Sequence, residues 1–489
     1  MLELFPEKYI INRLLNTQYI LVKGDEDMAQ INGKWIHMVG IAGAGMSGIA
    51  KVLCEQGNKI SGSDLVDNSV TDKLKAMGID VFLGHSALHL EKGVDLVVVS
   101  SAIPAENVEL QVAKSYNIPV IKRGQMLAQI VNQSKGIAVA GAHGKTTTTA
   151  MLFTILEGCQ YDPSFIVGGE IQGTSLNAKL GRGDYFIIES DESDASFLEL
   201  QPYIAIVTNI EDDHLDFYKS FSNIQKAFAA FLGQINPKGF AVYYADDHNL
   251  KEIIQYMEGN FIDYGENLSA KYRLHNWKPR GIGSTYDLYI KEKFITDIEL
   301  SVPGQHNALN SLACIAVAME LGLDILKIKQ EIKKYKGTKR RFEIIEEKGN
   351  VIVVDDYAHH PTEIRATLEA ARNYHPGRII VIFQPHRYSR TKMLGSQFGA
   401  AFIAADLTII SDVYAAGEIP LDGVSGEIIY QSALQAGCNA LYIPELSHIE
   451  AHIKEELREN DLIITMGAGD IWTCAVNIAR YHPASQAQP

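Results

Sequence analysis

One local pattern recurs along most of this sequence: an apolar strand-like run, a glycine-rich or polar turn, and a helix-like segment. The first series begins at Trp35 (WIHMVGIAGAGMSGIAKVL), the second at Gly136 (GIAVAGAHGKTTTTAM) and the third at Val351 (VIVVDDYAHHPTEI). This alternation predicts parallel sheets with helices on both faces. Ligands bind such sheets outside the carboxyl ends of the strands. We therefore expect functional residues directly after the strands.

Composition narrows the class of protein. The net charge of −15 argues against a nucleic-acid or anionic-membrane surface, although local loops can still bind phosphate. No apolar run approaches the roughly 18 residues of a membrane span, and the N-terminus lacks the pattern of a secretory signal. Five scattered cysteines without a C-x-x-C pair fit a reducing compartment. We expect a cytoplasmic protein without membrane insertion or a nucleic-acid partner.

The strand GIAVA is followed by a glycine-rich segment, GAHGKTT, that opens a helix. Consecutive backbone N–H groups at such a turn can cradle phosphate, and the helix N-terminus adds favourable partial charge. A lysine there can reach the terminal phosphates, and the following threonine can bind magnesium. The glycine spacing is shorter than usual, because position 139 is Val. We predict an ATP phosphate site formed by Gly141, Ala142, His143, Gly144, Lys145, Thr146 and Thr147.

Polar residues also follow the next two strands of the central series. Glu189 ends the run YFII, and His214 follows IAIVTNI. Because both positions lie at the carboxyl edge of the predicted sheet, we expect Thr146, Glu189 and His214 to bind Mg²⁺. The neighbouring acids are interpreted as solvated loop residues: Asp191, Glu192, Asp194, Asp212 and Asp213.

The first glycine-rich turn, GIAGAGMSG over residues 40–48, fits a dinucleotide-binding fingerprint, with Asp64 after the second strand as a ribose-binding acid. The motif alone leaves three readings open: NAD, another diphosphate-bearing ligand such as a nucleotide sugar, or a packing turn. A second nucleotide site beside a phosphate loop favours a substrate that itself carries a diphosphate. An NAD-linked oxidoreductase would leave GAHGKTT unexplained, and an ATP-gated binding protein is a non-enzymatic alternative.

Taken together, the polar and glycine-rich motifs form a series that is specific enough to indicate a protein family. In chain order they are GIAGAGMSGIA, GAHGKTTTTA, ESDESDASF, TNIEDDHLD, GQHNALN, GTKRRFE, DDYAHHPTEI, FQPHRYSRT, DVYAAGE and MGAGDIW. Over residues 35–475 this series resembles the Mur ligase family, which builds the peptide of bacterial cell-wall precursors by ADP-forming amide synthesis. The resemblance implies an α/β protein of three consecutive domains. These are a Rossmann-like UDP-substrate domain over 34–133, a P-loop-type central ATPase domain over 134–336 and a Rossmann-like amino-acid-binding domain over 337–489, after an N-terminal extension over 1–33.

The resemblance also implies roles for individual residues. Further ATP contacts would come from His306, Asn307, Asn310, Arg341 and Asp356. The UDP site would be lined by Gly43, Ala44, Gly45, Met46, Ser63, Asp64, Ser100 and Ser101. The amino acid would be framed by Tyr357, His359, His386, Arg387 and Arg390. The catalytic group would comprise Lys145 and the same two histidines and two arginines, with His359 or His386 as the base for the amine. A purely structural alternative is that His359 and His360 are helix-entry residues before a helix that starts at Pro361.

Within the family, DDYAHHPTE and FQPHRYSRT are most similar to the branch that adds the first amino acid. The resemblance implies UDP-N-acetylmuramate and L-alanine as substrates, ATP and Mg²⁺ as cofactors, and a monomer or weak homodimer. Several family members carry a carbamylated lysine where this chain has Ala229, and the alanine-adding branch shares that departure. The recycling ligase for murein tripeptide remains the alternative within the family, although it tends to have Phe in place of Tyr357.

Overall fold

The computed structural model describes residues 31–348 and 350–480, which form three sheets of five, ten and six strands. Most strand pairs are parallel, so the predicted α/β architecture is confirmed. The described residues divide into two compact units. The first holds residues 31–170, 175–273 and 313–328, and the second holds residues 171–174, 274–312, 329–348 and 350–480. The domain boundaries stay predictions, and residues 1–30 of the predicted extension lie outside the described part.

The first sheet has the strand order β3-β2-β1-β4-β5, with every pair parallel. Its strands are β1 Trp35–Val39, β2 Lys59–Asp64, β3 Asp80–Leu83, β4 Leu96–Val99 and β5 Val120–Lys122. Its helices are α1 Ala44–Glu55, α2 Ser69–Ala76, α3 Val108–Ser115 and α4 Arg123–Val131. Successive residues of β1 point to opposite faces, so Met38 joins one buried core and Val39 the other. Helices therefore cover both faces, as the sequence pattern predicts.

The second sheet begins in the first unit with the order β8-β7-β9-β6-β10-β11-β12. These strands are β6 Lys135–Ala140, β7 Ser164–Ile171, β8 Leu176–Lys179, β9 Tyr185–Glu189, β10 Ile204–Val207, β11 Phe240–Tyr244 and β12 Phe261–Gly265. The helices of this region are α5 Lys145–Gly158, α6 Leu215–Tyr218, α7 Phe221–Leu232, α8 His248–Ile254, α9 Gln305–Glu320 and α10 Ile325–Ile332. The central strands β6, β9 and β10 are buried and apolar, and each is followed by residues of the predicted ATP site.

Three further strands continue this sheet: β13 Tyr272–Arg280, β14 Gly283–Ile290 and β15 Lys293–Leu300. The sequence suggests short, antiparallel strands from about Phe261 to Ser301. The pair β14–β15 is antiparallel, with a register shift between Leu288 and Tyr289. However, β12 pairs in parallel with β11, so the antiparallel part begins later than expected.

The third sheet, in the second unit, has the order β16-β17-β21-β18-β19-β20. Its strands are β16 Glu343–Lys348, β17 Val351–Asp356, β18 Arg378–Phe383, β19 Leu407–Ile410, β20 Ala440–Tyr442 and β21 Asp461–Met466. Its helices are α11 Pro361–Tyr374, α12 Tyr388–Phe398, α13 Glu427–Gln435, α14 Leu446–Glu456 and α15 Trp472–Arg480. Only the edge pair β16–β17 is antiparallel among these strands. Phe383 is fully buried against Phe398 and Phe402, with ring centroids 5.3 Å away in each case.

Three short 3₁₀ turns, Ala87–His89, Ser196–Glu199 and Gly399–Phe402, complete the regular structure of the described residues. The helix predicted to start at Pro361 is present, because Glu363 accepts hydrogen bonds from the backbone N–H groups of His359 and His360 and so caps its first turn. Among the described helices, none combines the length and apolar character needed to cross a bilayer.

Candidate active site

The phosphate loop runs from the end of β6 to the start of α5. Gly141 and Gly144 have positive φ angles of 131° and 85°, and a Cβ on Gly141 would overlap the Thr208 hydroxyl. Both positions therefore require glycine. The loop is also tied to the strand end after β10, because the His143 N–H donates to the Asn209 side chain over 2.9 Å. The resulting backbone turn, followed by a helix N-terminus, suits an anion.

Lys145 is held inside this loop. Its Nζ donates to the Gly141 carbonyl over 2.6 Å, to the Ala142 carbonyl over 3.3 Å and to Glu192 Oε1 over 2.7 Å. Burial alone would lower the pKa of Lys145, but the carboxylates of Glu192 and Glu189 outweigh it and raise that pKa above its ordinary value. The lysine is thus a permanent cation at the place where phosphates are expected.

Glu192 corrects one expectation from the sequence. It is only 4% exposed, so its interpretation as a solvated loop acid is wrong. Its Oε2 is buried and has no hydrogen-bond partner among the described residues. The Tyr218 hydroxyl donates to its backbone carbonyl over 2.6 Å and fixes the loop. Its place three residues after the strand-ending Glu189 was the signal that could have identified it.

The predicted magnesium ligands are only partly brought together. The Thr146 hydroxyl lies 2.9 Å and 3.0 Å from the two carboxylate oxygens of Glu189, whose Oε2 also accepts from the Gly168 N–H. His214 Nε2 instead lies 3.8 Å from Glu192 Oε1 and 3.5 Å from Asp213 Oδ2. Hydroxyl and carboxylate oxygens, including the unpartnered Glu192 Oε2, are the ligands that Mg²⁺ prefers, so the residues fit that ion.

The first glycine loop leads from β1 into α1. Asp64 accepts a hydrogen bond from the Ala42 N–H over 2.9 Å and so holds the loop closed, and Gly43 is exposed at the helix start. Two residues predicted to line the UDP site have buried side chains: Met46 is 1% and Ser63 is 0% exposed. These side chains face the interior and support the loop from behind. Of the remaining residues assigned to this site, Ala44 and Ser101 are exposed, whereas Gly45 and Ser100 are partly buried.

The Ser63 hydroxyl belongs to a buried polar network centred on Glu109. It donates to Glu109 Oε2 over 2.6 Å, and His85 Nδ1 lies 2.9 Å from the same hydroxyl. His37 and His89 contact the carboxylate at 3.4 Å and 3.0 Å. Burial alone would raise the pKa of Glu109, but hydrogen bonds from His37, Ser63 and the Ser86 N–H lower it to about 2. The network braces the end of β2 beneath the glycine loop.

In the second unit, the residues predicted to frame the amino acid do cluster. His386 packs edge-on to His359, with centroids 5.9 Å apart, and accepts at Nδ1 from Arg390 over 3.4 Å. Burial, together with His359 and the arginines, lowers the pKa of His386 to about 3. His359 Nδ1 lies 3.0 Å from the Tyr357 carbonyl, which can only accept, so Nδ1 carries the proton of this hydrogen bond.

Arg387 stands beside this cluster at the start of α12. It is exposed, and its φ of 70° is unusual for a residue with a side chain. The strained backbone is fixed by the Arg387 N–H, which donates to the Tyr414 carbonyl over 2.8 Å. Tyr414 in turn stacks on His386, with centroids 5.8 Å apart. Strain at such a position is typical of functional sites.

The two adjacent arginines of KRRF have different surroundings. Arg340 donates to Asp355 over 2.9 Å and to the carbonyls of Gly467 and Gly469, so it is fully engaged in the fold. Arg341 lies over the Tyr357 ring at 5.1 Å. Asp356 is buried and accepts from two backbone N–H groups, yet burial raises its pKa to about 6.

Three of the predicted ATP contacts lie in the first turns of α9. His306 is exposed, whereas Asn307 and Asn310 are 9% and 7% exposed. The Asn307 amide donates to the Pro303 carbonyl over 2.7 Å, and the Asn310 amide donates to Asn307 Oδ1 over 3.4 Å. These asparagines therefore fix the helix start behind His306.

A glycine-rich turn that holds a lysine at the start of a helix is typical of ATP-using α/β enzymes. Three family models match the chain in succession: "Mur ligase family, catalytic domain" over residues 35–135, "Mur ligase middle domain" over 139–318 and "Mur ligase, glutamate ligase domain" over 340–469. The chain belongs to the Mur ligase family, which confirms the resemblance seen in the sequence.

Two curated relatives are similar over nearly their whole length. The chain is 56% identical to the UDP-N-acetylmuramate–L-alanine ligase of Syntrophomonas wolfei, over 94% of this chain and 99% of the relative. It is 47% identical to the ligase of the same name from Desulforamulus reducens, over 91% and 97%.

Two solved structures share the architecture. The UDP-N-acetylmuramate–alanine ligase of Thermotoga maritima has a TM-score of 0.80 and 30% identity, covering 92% of this chain and 99% of that chain. A murein peptide ligase from Psychrobacter arcticus has a TM-score of 0.71 and 25% identity, covering 92% and 98%.

The Glu109 network makes a prediction about stability and pH. A folded-state pKa of about 2, against an ordinary value of 4.5, corresponds to about 3 kcal/mol of stabilisation by the ionised carboxylate. This contribution is complete above pH 4.5 and is lost as the pH falls through 2. Glu109→Gln should therefore lower the free energy of unfolding by about that amount at pH 7.

The measurement is urea unfolding of both proteins from pH 7 to pH 3, with Glu106→Gln as a control at an exposed glutamate in the same segment. The difference between Glu109→Gln and the unmodified protein should be constant down to about pH 5 and shrink below it. A difference that is absent at pH 7, or that grows on acidification, contradicts the assigned role.

Proposed function

We propose that this chain joins L-alanine to the carboxylate of UDP-N-acetylmuramate with hydrolysis of ATP to ADP and phosphate. The observation that carries the proposal is the near-full-length similarity to ligases of that name. The site geometry agrees with it. A lysine-bearing phosphate loop, a separate glycine loop for a diphosphate-bearing acid, and a histidine–arginine cluster for an amino acid supply the three binding functions that such a reaction needs.

The first chemical step is phosphoryl transfer. A carboxylate oxygen of UDP-N-acetylmuramate attacks the γ-phosphorus of ATP, the bond to the β–γ bridging oxygen breaks, and ADP leaves. Residues 141–147 hold the phosphates with backbone N–H groups, and Lys145 neutralises charge on the transferring group. Glu192 accepts a hydrogen bond from the third N–H donor of this lysine. Phosphate oxygens can take that place without leaving the cation unpaired.

Mg²⁺ fits beside this loop. Thr146 and Glu189 would hold it. His214, whose Nε2 lies 3.8 Å from Glu192 Oε1, would be a further ligand. The ion supplies charge neutralisation for the phosphates during transfer. The oxygen donors of Thr146 and Glu189 support the assignment more strongly than the histidine does.

The second step forms the amide. The alanine nitrogen attacks the acyl carbon of the acyl phosphate, and the tetrahedral intermediate expels phosphate. The amine must lose a proton, and we assign His359 as the base because its ring is oriented at Nδ1 by the Tyr357 carbonyl and by Glu363. His386, the alternative base, is a poor proton acceptor because its pKa is about 3. We assign it to shaping the pocket with Arg390.

The remaining partner assignments follow from the substrates. ATP and a nucleotide-linked acid are small soluble molecules, and the five free cysteines fit a reducing compartment, so we place the reaction in the cytoplasm. We propose that the protein acts as a monomer or weak homodimer and needs no nucleic acid.

An acceptor comparison tests the proposal. With UDP-N-acetylmuramate and Mg²⁺–ATP present, L-alanine should trigger release of one ADP per UDP-N-acetylmuramoyl-alanine detected by mass spectrometry. Lys145→Ala should abolish this turnover, whereas the exposed control Lys293→Ala should retain it. Turnover only with the tripeptide would assign the recycling reaction. ADP release that ignores the acceptor would indicate an ATP-gated binding protein, and a nicotinamide absorbance change would indicate an oxidoreductase.

Arg387→Ala tests the amino-acid site separately. A guanidinium matched to the alanine carboxylate contributes about 1.5–3 kcal/mol, so KM for alanine should rise about 10- to 150-fold. KM for ATP should stay within about twofold, because the arginine does not serve the phosphates. Arg458→Ala, at an exposed position near the start of β21, is the matched control and should change neither constant. Equal increases in both KM values for Arg387→Ala would remove the assignment.

A further inference from the structure

Arg123 lies between the first glycine loop and the loop that follows β9. It is the first residue of α4, directly after β5, at the carboxyl edge of the first sheet. A Cβ built on Gly45 would lie 3.0 Å from its Nη1 and 3.3 Å from its Cδ, so the guanidinium packs on the first glycine loop. Its side chain is only 16% exposed.

The same guanidinium reaches the central sheet. Arg123 Nη2 donates to Asp191 Oδ2 over 2.9 Å, and Asp194 Oδ2 lies 4.0 Å away. A guanidinium at hydrogen-bond distance favours the charged form of a carboxylate. The ion pair is therefore formed between two charged groups at neutral pH.

Asp191 leads directly to the phosphate-loop lysine. The next residue, Glu192, pairs with Lys145 over 2.7 Å. Asp191 also makes two hydrogen bonds within the loop that follows it. Its carbonyl accepts from the Phe197 N–H over 3.1 Å, and its Oδ1 accepts from the Ser193 N–H over 3.0 Å. A change in the position of Asp191 is thus transmitted to the partner of Lys145.

Helix α4 packs tightly against this loop. A Cβ on Gly124, the residue after Arg123, would overlap the side chain of Ser196. The first turn of α4 therefore packs directly on the 3₁₀ turn Ser196–Glu199. Closely packed elements transmit small displacements instead of absorbing them.

Arg123 also has donors to spare. Its polar contacts all involve Nη2, and within residues 31–348 and 350–480 its Nε and Nη1 have no protein partner. The guanidinium presents five N–H donors in a rigid fork, so Nη1 can serve an anion on the glycine loop while Nη2 keeps Asp191. A diphosphate is an anion of the right charge and reach for that position.

We propose that Arg123 is a positioning residue that couples the two phosphate-binding loops, by donating at once to the diphosphate of the acid substrate and to Asp191. Binding of the acid substrate then fixes the loop that carries Glu192 and favours the arrangement of Lys145 that accepts ATP. The inference rests on the proposed function, which supplies the diphosphate-bearing substrate. Because coupling between binding sites is reciprocal, ATP must strengthen binding of the acid substrate by the same factor.

Calorimetric binding tests this directly. Affinity for the non-hydrolysable ATP analogue AMP-PNP with Mg²⁺ is measured with and without saturating UDP-N-acetylmuramate, in the unmodified full chain and in variants. The unmodified protein should bind AMP-PNP at least about fivefold more tightly when the UDP-sugar is present. In Arg123→Gln and Asp191→Asn the ratio should fall to within about twofold of unity, while AMP-PNP alone still binds. Arg182→Gln, an exposed arginine in the same unit, should keep the full ratio.

Arg123→Lys separates coupling from folding. The lysine ammonium can retain the ion pair with Asp191 and so preserve the fold. It lacks the planar set of donors that would bind Asp191 and the diphosphate together, so the affinity ratio should also fall to within about twofold of unity in this variant. If Arg123→Gln does not fold, Arg123→Lys and Asp191→Asn decide between the outcomes. An unchanged ratio in the folded variants, or a ratio of one in the unmodified protein, overturns the coupling but leaves the proposed reaction intact. If the unmodified protein binds no UDP-N-acetylmuramate at all, the proposed function fails, and the coupling fails with it.

Discussion

The buried ion pair between Lys145 and Glu192 is the interaction on which the candidate site depends. A lysine held within its own phosphate loop cannot remain charged without a partner, because burial of an unpaired cation is costly. Glu192 supplies that partner, and phosphate oxygens are anions that can also pair with the lysine. The pair therefore fixes the position of Lys145 in the loop, and Asp191, the residue before Glu192, connects it to Arg123 beside the first glycine loop.

The parallel sheets explain why such charges meet. Because β6, β9 and β10 run in the same direction side by side, the polar residues that follow them lie at one edge. In the second unit, β17 and β18 lie parallel on either side of β21, and the segments that follow them bring the ring centroids of His359 and His386 to 5.9 Å. The two histidines still differ in chemistry. Burial among cations keeps His386 neutral, whereas the Tyr357 carbonyl accepts a hydrogen bond from His359 Nδ1 and orients that ring.

The sequence predicts those parts that depend on local pattern. The glycine positions of GAHGKTT and the helix start at Pro361 follow from short-range conformational rules, and both are present. The burial of individual side chains is harder to predict from the sequence, because it depends on how elements that are distant in the chain pack together. Glu192 has the sequence context of a loop acid but is buried against Lys145, and Ser63 has that of a ligand contact but turns inward to Glu109. The role of Arg123 cannot be read from the sequence, because it requires two sheets to be seen together.

The proposed reaction requires that the carboxylate of the acid substrate is phosphorylated before the amine attacks it. The most direct measurement uses UDP-N-acetylmuramate labelled with ¹⁸O in its carboxylate, with ATP and L-alanine, and mass analysis of the released phosphate. An acyl phosphate route places one carboxylate oxygen in each phosphate molecule, because the bond broken in the second step joins carbon to that oxygen. Phosphate free of ¹⁸O, formed together with the amide product, would contradict this order of steps.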